Sequence, residues 1–390
     1  MIIKEVIARA VKDSRGEKTI SVSVNGCVTI APSGKSKGMY EAPSYNDSLE
    51  QDINFINEFI ISSEINNFSD LKKIEGFLNN NVGANTLFAF EASILKALAK
   101  SQGKELWQIL NPFFDIQLAK FPRILSNTIG GGSHSIGKEK PDFQEFLFTC
   151  NADPSRALEI NTLAYEEARA ILKTLSGEEP EKNDENAWMT RLGNEQVLEI
   201  MKNVQENIFE SFGIHIDIGL DIAASQFLNH NLYDYNNPCK VRDKRKQVLY
   251  VAELIKKYNL FYVEDAFDEK DFSSFAELLR ITKGKCLIVG DDLTTTNPQR
   301  FEEAIKKKAI NAIIIKPNQI GSLIKMREVI ELARRNKIYT IISHRSGESQ
   351  DSTIADFGFA WQCDFIKTPV IGRERLAKVK RLIDIENHLR

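Results

Sequence analysis

The chain of 390 residues is long enough for one large barrel of about 250 residues plus a second, smaller domain. A formal net charge of −3 and a pI near 6.1 exclude the broad basic field that drives nucleic-acid binding, so a small-molecule partner fits better. The five cysteines (Cys27, Cys150, Cys239, Cys286, Cys363) have no paired spacing for zinc or disulfides, and no apolar run approaches the roughly 18 residues of a membrane span, so a soluble chain in the reduced cytoplasm is expected.

In chain order, Ile20, Val22 and Val24 alternate with polar residues, Asn25-Gly26 supplies positive φ values, and Cys27 to Ile30 return, which predicts a β-hairpin. Leu49, Ile53, Ile56 and Ile60 then recur at helical spacing, as do Leu71, Ile74 and Leu78, and a third helix over Asn85 to Gln102 stops at Gly103. Strands first and helices after make an N-terminal α+β capping domain, assigned to residues 1–118, ahead of a barrel domain at 119–390. In the barrel portion Val248, Val251, Ala252 and Ile255 form one helical stripe, and Phe272, Phe275, Ala276 and Leu279 another. Gly177 to Glu185 has no apolar period and reads as a solvated loop.

Six short apolar runs in the second half each end in a residue capable of acid, base or metal chemistry: Asp221, Glu264, Asp291, Lys316, His344 and Lys367. The last five recur about every 25 residues with helix-like stretches between them, the period of a (β/α)₈-type barrel, whose strand ends converge on one rim. Asp221, Glu264 and Asp291 there suit a hard divalent cation such as Mg²⁺, although each alone reads equally as a helix cap. Lys316 ends the run Ala312-Ile313-Ile314-Ile315. Burial and neighbouring cations there would lower its pKa and make it a base; the competing reading is an ion pair with a strand-end acid. Lys367 suits a substrate carboxylate, and His344-Arg345-Ser346-Gly347 suits a phosphate or carboxylate. His134 follows three glycines, where a loop histidine facing water is an equal reading; His215, inside an expected strand, and His230 and His388 read as structural or exposed.

These runs belong to an ordered set of motifs: Asp13-Ser14-Arg15-Gly16, Ala31-Pro32-Ser33-Gly34-Lys35-Ser36-Lys37-Gly38, Val82-Gly83-Ala84-Asn85, Gln144-Glu145-Phe146, Leu220-Asp221-Ile222-Ala223-Ala224-Ser225, Val263-Glu264-Asp265, Gly290-Asp291-Asp292-Leu293, Lys316-Pro317-Asn318-Gln319-Ile320-Gly321 and Ser343-His344-Arg345-Ser346-Gly347-Glu348. The set resembles the enolase family along nearly the whole chain. The resemblance implies a ββαα(βα)₆ barrel with an N-terminal cap, and reversible dehydration of 2-phosphoglycerate to phosphoenolpyruvate with two Mg²⁺ per site. It further implies a cytoplasmic homodimer or octamer. By position, Asp221, Glu264 and Asp291 would hold one Mg²⁺, and Ser36 in the mobile loop would help hold the second. Lys316 would remove the C2 proton; Glu185, with Glu145, would protonate the leaving hydroxyl. Lys367, Arg345 and Ser346 would bind the substrate's anionic groups, with His134, His344 and Gln144 lining it. The use of a lysine base with Mg²⁺ in this superfamily is itself a general precedent.

The chain departs from the family pattern in places. The family's GDEGGFAP stands here as Asn183-Asp184-Glu185-Asn186-Ala187-Trp188-Met189-Thr190, which keeps the acids and loses every glycine. Lys35 and Lys37 replace small neutral residues beside Ser36, Gln226 replaces an acid, and Thr368-Pro369 replaces Thr-Gly. These changes keep open a related barrel enzyme on another carboxylate, or a non-catalytic binding protein on the same fold.

Overall fold

The computed structural model describes residues 1–35, 37–58, 64–78, 80–115, 117, 119–137 and 139–390. The strands β1 (Val6–Lys12), β2 (Lys18–Val24) and β3 (Cys27–Ile30) pair antiparallel in that order. Asn25 (φ 50°) and Gly26 (φ 78°) form the expected tight turn, and Ile20, Val22 and Val24 are fully buried. Two helices follow, α1 (Leu49–Glu58) and α2 (Leu71–Leu78); Ile60, the last member of the expected first stripe, lies outside the described residues. The long α3 (Ala84–Ser101) starts and stops one residue before the expected bounds and packs on β2 and β3. The buried Asp52 carboxyl accepts from Gly83 N (2.9 Å) and Thr86 Oγ1 (2.5 Å), so a side chain of α1 anchors the residue that caps α3 and a hydroxyl of its first turn. A short α4 (Leu106–Leu110) leads out.

The remaining strands close a barrel. Its members are β4 (Arg123–Gly130), β5 (Glu145–Thr149), β6 (Asp217–Asp221), β10 (Tyr262–Glu264), β11 (Leu287–Gly290), β12 (Ala312–Ile315), β13 (Tyr339–Ser343) and β14 (Phe365–Lys367). Between β5 and β6 run α5 (Pro154–Ser176) and α6 (Asn194–Phe212); β6 is followed by a small sheet of β7 (Leu228–Asn229), β8 (Leu232–Asn236) and β9 (Cys239–Arg242). The later helices are α7 (Lys244–Tyr258), α8 (Phe272–Thr282), α9 (Pro298–Lys307), α10 (Pro317–Ile320), α11 (Leu323–Arg335), α12 (Thr353–Ala360) and α13 (Arg373–Leu389). Every pairing within the barrel is parallel except those of β5, which runs against both β4 and β6. This is the expected ββαα(βα)₆ order.

Each barrel strand alternates between two cores. Ala312 and Ile314 join Leu125, Leu147, Val289 and Ile341 in one cluster, while Ile313 and Ile315 join the layer that includes the helices. In α8 it is Leu278 that is fully buried, with Leu279 half-buried, and His215 lies ahead of β6 with its ring stacked 4.4 Å from that of Phe209 rather than in a strand.

Cap and barrel meet through α3 and α10. Asn318 Nδ2 donates to Pro32 O (3.1 Å) and Asn85 Oδ1 (3.0 Å), and Gly321 (φ 79°) sits where a Cβ would lie 2.7 Å from Ala84 Cα. Gly321→Ala therefore adds a clash to a backbone conformation that L side chains resist, and a loss of at least about 2 kcal/mol is expected. A lowered urea midpoint measures it; an unchanged midpoint would mean that this junction yields freely.

Candidate active site

Strand register brings the acids to one height. Asp221 at the end of β6 is the partner of Glu264 at the end of β10, and also of Glu145 at the start of β5. Because β5 is reversed, its first residue reaches the rim that the other strands reach with their last. Lys367 ends β14 opposite Ser343, the residue before His344, and Lys316 follows β12 as the N-cap of α10. The lysine Nζ of Lys367 donates to Asp221 Oδ2 (2.9 Å) and Glu264 Oε2 (2.8 Å) and lies 3.0 Å from Glu145 Oε2. Lys316 Nζ donates to Asp291 Oδ2.

Burial and mutual repulsion set the proton affinities. Burial, with Asp221 beside it, pushes the Glu264 carboxyl well above its ordinary value, and Tyr262 also donates to it. Burial, with Asp291 next to it, raises Asp292 to about 7. Burial works against the charge on Lys367, but Asp221, Glu145 and Glu264 outweigh it and hold its pKa well above the usual lysine value. The expectation that Lys316 has a lowered pKa is overturned in this arrangement: burial does act to lower it, but the Asp291 contact wins and its pKa is raised. The reading of Lys316 as an ion-pair partner of a strand-end acid is thus the one seen.

On the other side of the cleft His134 Nδ1 lies 3.5 Å from Glu185 Oε1 and 4.0 Å from Glu145 Oε1, so this histidine faces the site rather than water. Burial disfavours its charge, yet Glu185 and Glu145 raise it to about 9. Burial raises Glu145 to about 8, whereas Glu185, although buried, is held well below the carboxylate range by His134 and His344. Of the two carboxyls it is Glu145 that retains a proton near neutrality. His344 Nε2 lies 4.0 Å from Glu185 Oε2, and burial keeps its ring neutral. Gln144 Nε2 reaches Asp221 Oδ2 (3.4 Å), and Gln226 Nε2 donates to Gln144 Oε1 (2.7 Å), so the residue replacing an acid holds a neighbour in place. Arg345 forms a two-pronged pair with Glu41 (3.0 Å each), and Ser346 Oγ accepts from Lys35 N (2.7 Å) and Arg15 Nη1 (3.2 Å).

The altered loop keeps its shape by other means. Asn186 adopts φ 65°, a left-handed position that asparagine tolerates better than most residues, and Asn183 Oδ1 accepts from Glu185 N (2.9 Å) and Ala187 N (3.0 Å). Tyr165 Oη donates to Asn186 O (2.7 Å). The solvated reading holds for residues 177–179, but Asn183 and Glu185 are buried. Lys35 Nζ points to Asp184 Oδ2 (3.1 Å) and Lys37 Nζ to Ser44 Oγ (2.9 Å), while Ser36 lies outside the described residues.

The donor set fits a hard divalent cation. Buried Glu264 Oε1 has no hydrogen-bond partner among the described residues, and carboxyl oxygens outnumber the two amines that face them. Two groups of three ligand atoms lie within 4.8 Å of one another among the described residues: His134, Glu145 and Glu185, and Asp265, Asp291 and Asp292. Asp221, Glu264 and Asp291 share the rim but do not form such a trio: Lys367 Nζ binds both Asp221 and Glu264, while Asp291 is paired with Lys316. Asp265 and Asp292 were missed from the sequence although each doubles an acid at a strand end; the Asp265 carboxyl accepts from Asp291 N (3.0 Å) and Asp292 N (2.8 Å). Glu41 was missed too, with no local signal in its Pro- and Ser-rich loop. A larger cavity of about 880 Å³ opens at the opposite end of the barrel between Arg123, Phe261 and Tyr339, so it is converging charge, not size, that marks the site.

Residues 119–390 match the family model described as the enolase C-terminal TIM barrel domain. Among curated relatives, the enolase of Methanocorpusculum labreanum is 36% identical over 403 residues, covering 99% of each chain. That of Methanosphaera stadtmanae is 37% identical over 412 residues, covering all of this chain and 97% of its own. The enolase of Archaeoglobus fulgidus is 33% identical over 399 residues, covering 99% of this chain and 97% of its own. With its reversed second barrel strand, its rim of acids and lysines and this similarity from end to end, the chain belongs to the enolase family.

Proposed function

We propose that the chain is a working enolase, a hydro-lyase that interconverts 2-phosphoglycerate with phosphoenolpyruvate and water in glycolysis and gluconeogenesis. The observation that carries this is the meeting of two lysines and five acids, Glu145, Glu185, Asp221, Glu264 and Asp291, on one barrel rim. A different carboxylate substrate, or a non-catalytic role, is not favoured by likeness over the full length to relatives named enolase. The division into a cap of residues 1–118 and a catalytic barrel of 119–390, a cytoplasmic location and a homodimeric or octameric state are proposed with it. No described helix is long and apolar enough to cross a membrane.

In this reading Asp221, Glu264 and Asp291 would hold one Mg²⁺, and Ser36 would contribute to a second. Bound there, the cations would supply positive charge against a carboxylate that becomes doubly negative. Lys316 then takes the proton from C2, breaking the C–H bond. Lys367 lies along the substrate carboxylate, and Arg345 and Ser346 hold the phosphate once Glu41 gives way. Glu185 and Glu145 face the C3 hydroxyl, which leaves as water with a proton from this carboxyl pair. His134 keeps the pair close to its charge balance, while Gln144 and the neutral His344 complete the wall.

Adding 2-phosphoglycerate and Mg²⁺ should raise ultraviolet absorbance as the C=C bond forms, and Lys316→Ala should lower kcat by at least about a hundredfold. No absorbance change from the native chain would end the proposal, and an undiminished variant would remove Lys316 as the base.

Metal linkage gives a second test. Glu145 (about 8), Asp292 (about 7) and His134 (about 9) bind protons more tightly than their ordinary values of 4.5, 3.8 and 6.5. Folded groups with raised pKa contribute stability that fades as pH climbs through those values, so the metal-free chain should lose stability between pH 7 and pH 9. Mg²⁺ held by the neighbouring rim carboxylates would lower the proton affinity of these groups; at a hundredfold excess over Kd it should add about 2.7 kcal/mol and flatten the pH trend. Thermal unfolding at several pH values reads both effects, and a melting temperature indifferent to Mg²⁺ would remove the metal assignment.

The Lys35–Asp184 pair is 39% and 23% exposed, so it contributes about 0–1 kcal/mol. Lys35→Ala should change kcat/KM by less than about fivefold, with the difference shrinking at high salt. A loss of a hundredfold would instead make Lys35 part of the substrate site.

A further inference from the structure

The last helix, α13, sends two buried cations toward the site, and they are bound in different ways. Lys378 Nζ donates to Glu348 Oε2 (2.6 Å), Ser349 O (2.6 Å) and Glu374 O (2.8 Å), which satisfies it as a structural ion pair. Arg375, one turn earlier and 1% exposed, has no carboxylate within ion-pair distance among the described residues. Its Nη2 donates to two backbone carbonyls, Ser346 O (2.8 Å) and Asp184 O (3.3 Å), and its Nε is buried without a hydrogen-bond partner. A guanidinium buried in this way is costly, and mere packing of a helix against a barrel does not call for one.

The two carbonyls belong to the two segments that must keep register across the cleft. Asp184 precedes Glu185, and Ser346 follows Arg345. The helix begins at Gly372 (φ 92°), where a Cβ would lie 2.5 Å from Asn186 Nδ2, so the start of α13 and the altered loop are in direct contact. We infer that Arg375 is a positioning residue for the elimination step: it clasps the peptide before Glu185 and the peptide after Ser346, fixing the carboxyl that faces the C3 hydroxyl relative to the bound phosphate. Arg375 also acts on the charges of the two groups that flank the cleft. Burial opposes ionisation of Glu185, but His134 and His344 favour it and Arg375 adds to them; burial also lowers the His344 pKa, with Arg375 next among the groups that do so.

The inference rests on the proposed roles of Lys316 and Glu185, and isotope exchange separates it from them. Removal of the C2 proton by Lys316 can be followed by return of a deuteron from D₂O without loss of the hydroxyl, so NMR of 2-phosphoglycerate reads proton abstraction while phosphoenolpyruvate formation reads elimination. Arg375→Met, which keeps length and removes the donors, should lower elimination about tenfold or more and leave C2 exchange within about threefold of the native rate. Arg375→Lys, with a donor and a charge, should recover part of the elimination. Glu185→Gln should show the same split. If Glu185→Gln splits the two rates and Arg375→Met lowers them in parallel or not at all, the positioning role falls and the Glu185 assignment stands. If Glu185→Gln itself leaves their ratio at the native value, the Glu185 assignment fails and the Arg375 inference with it.

Discussion

The ammonium group of Lys367 touches carboxyls from three neighbouring strands, and the upper half of the barrel is arranged around that contact. Glu145, Asp221 and Glu264 are placed side by side by backbone pairing alone, which would set three acids against one another in a dry interior. The amine at 2.8 to 3.0 Å from each is what makes that packing tolerable. Lys367 arrives on β14, across the barrel from β10, so side chains cross the interior that the lower, apolar cluster fills with leucine, valine and isoleucine. A hydrophobic floor and an ionic roof therefore share one set of strands.

The chain is also held in unusual conformations around this roof. Ala223 (φ 48°), Asp265 (φ 43°), Thr295 (φ 48°) and Thr296 (φ 52°) are non-glycine residues in the left-handed region, and each lies within a few residues of Asp221, Glu264 or Asp291. Such backbone costs about 1–3 kcal/mol per residue and persists where surrounding structure overdetermines it. Here the determinants are visible: Asp221 Oδ1 accepts from Ala223 N (3.1 Å), and Asp265 accepts from the two peptides that carry Asp291 and Asp292. The cap contributes from above, where Ser33 and Gly347 pair through two backbone hydrogen bonds.

Much of the barrel was legible in the sequence because its signals are local: a β-branched run, a polar residue at its end and a helix after it. The ring of acids could be assembled from that period, and Glu145 and Glu185 came from motif likeness. What stayed hidden depends on contacts far apart in the chain. The pairing of Glu41 with Arg345 spans over 300 residues and leaves no trace in either segment. The raised pKa of Lys316 follows from a carboxyl 25 residues upstream, not from the apolar run that precedes it. Arg375 looks in sequence like any charged residue of an amphipathic helix, and only the direction of its side chain makes it different.

The loop from Asn183 to Thr190 has a thermodynamic side as well. Where relatives of this pattern use glycines, this chain has Asn183, Asn186 and Ala187, and it meets the one left-handed position there with Asn186. Each replacement narrows the conformations open to the denatured segment, so less entropy is surrendered when the loop forms. The acid-bearing turn is thereby firmed through the state in which it is absent.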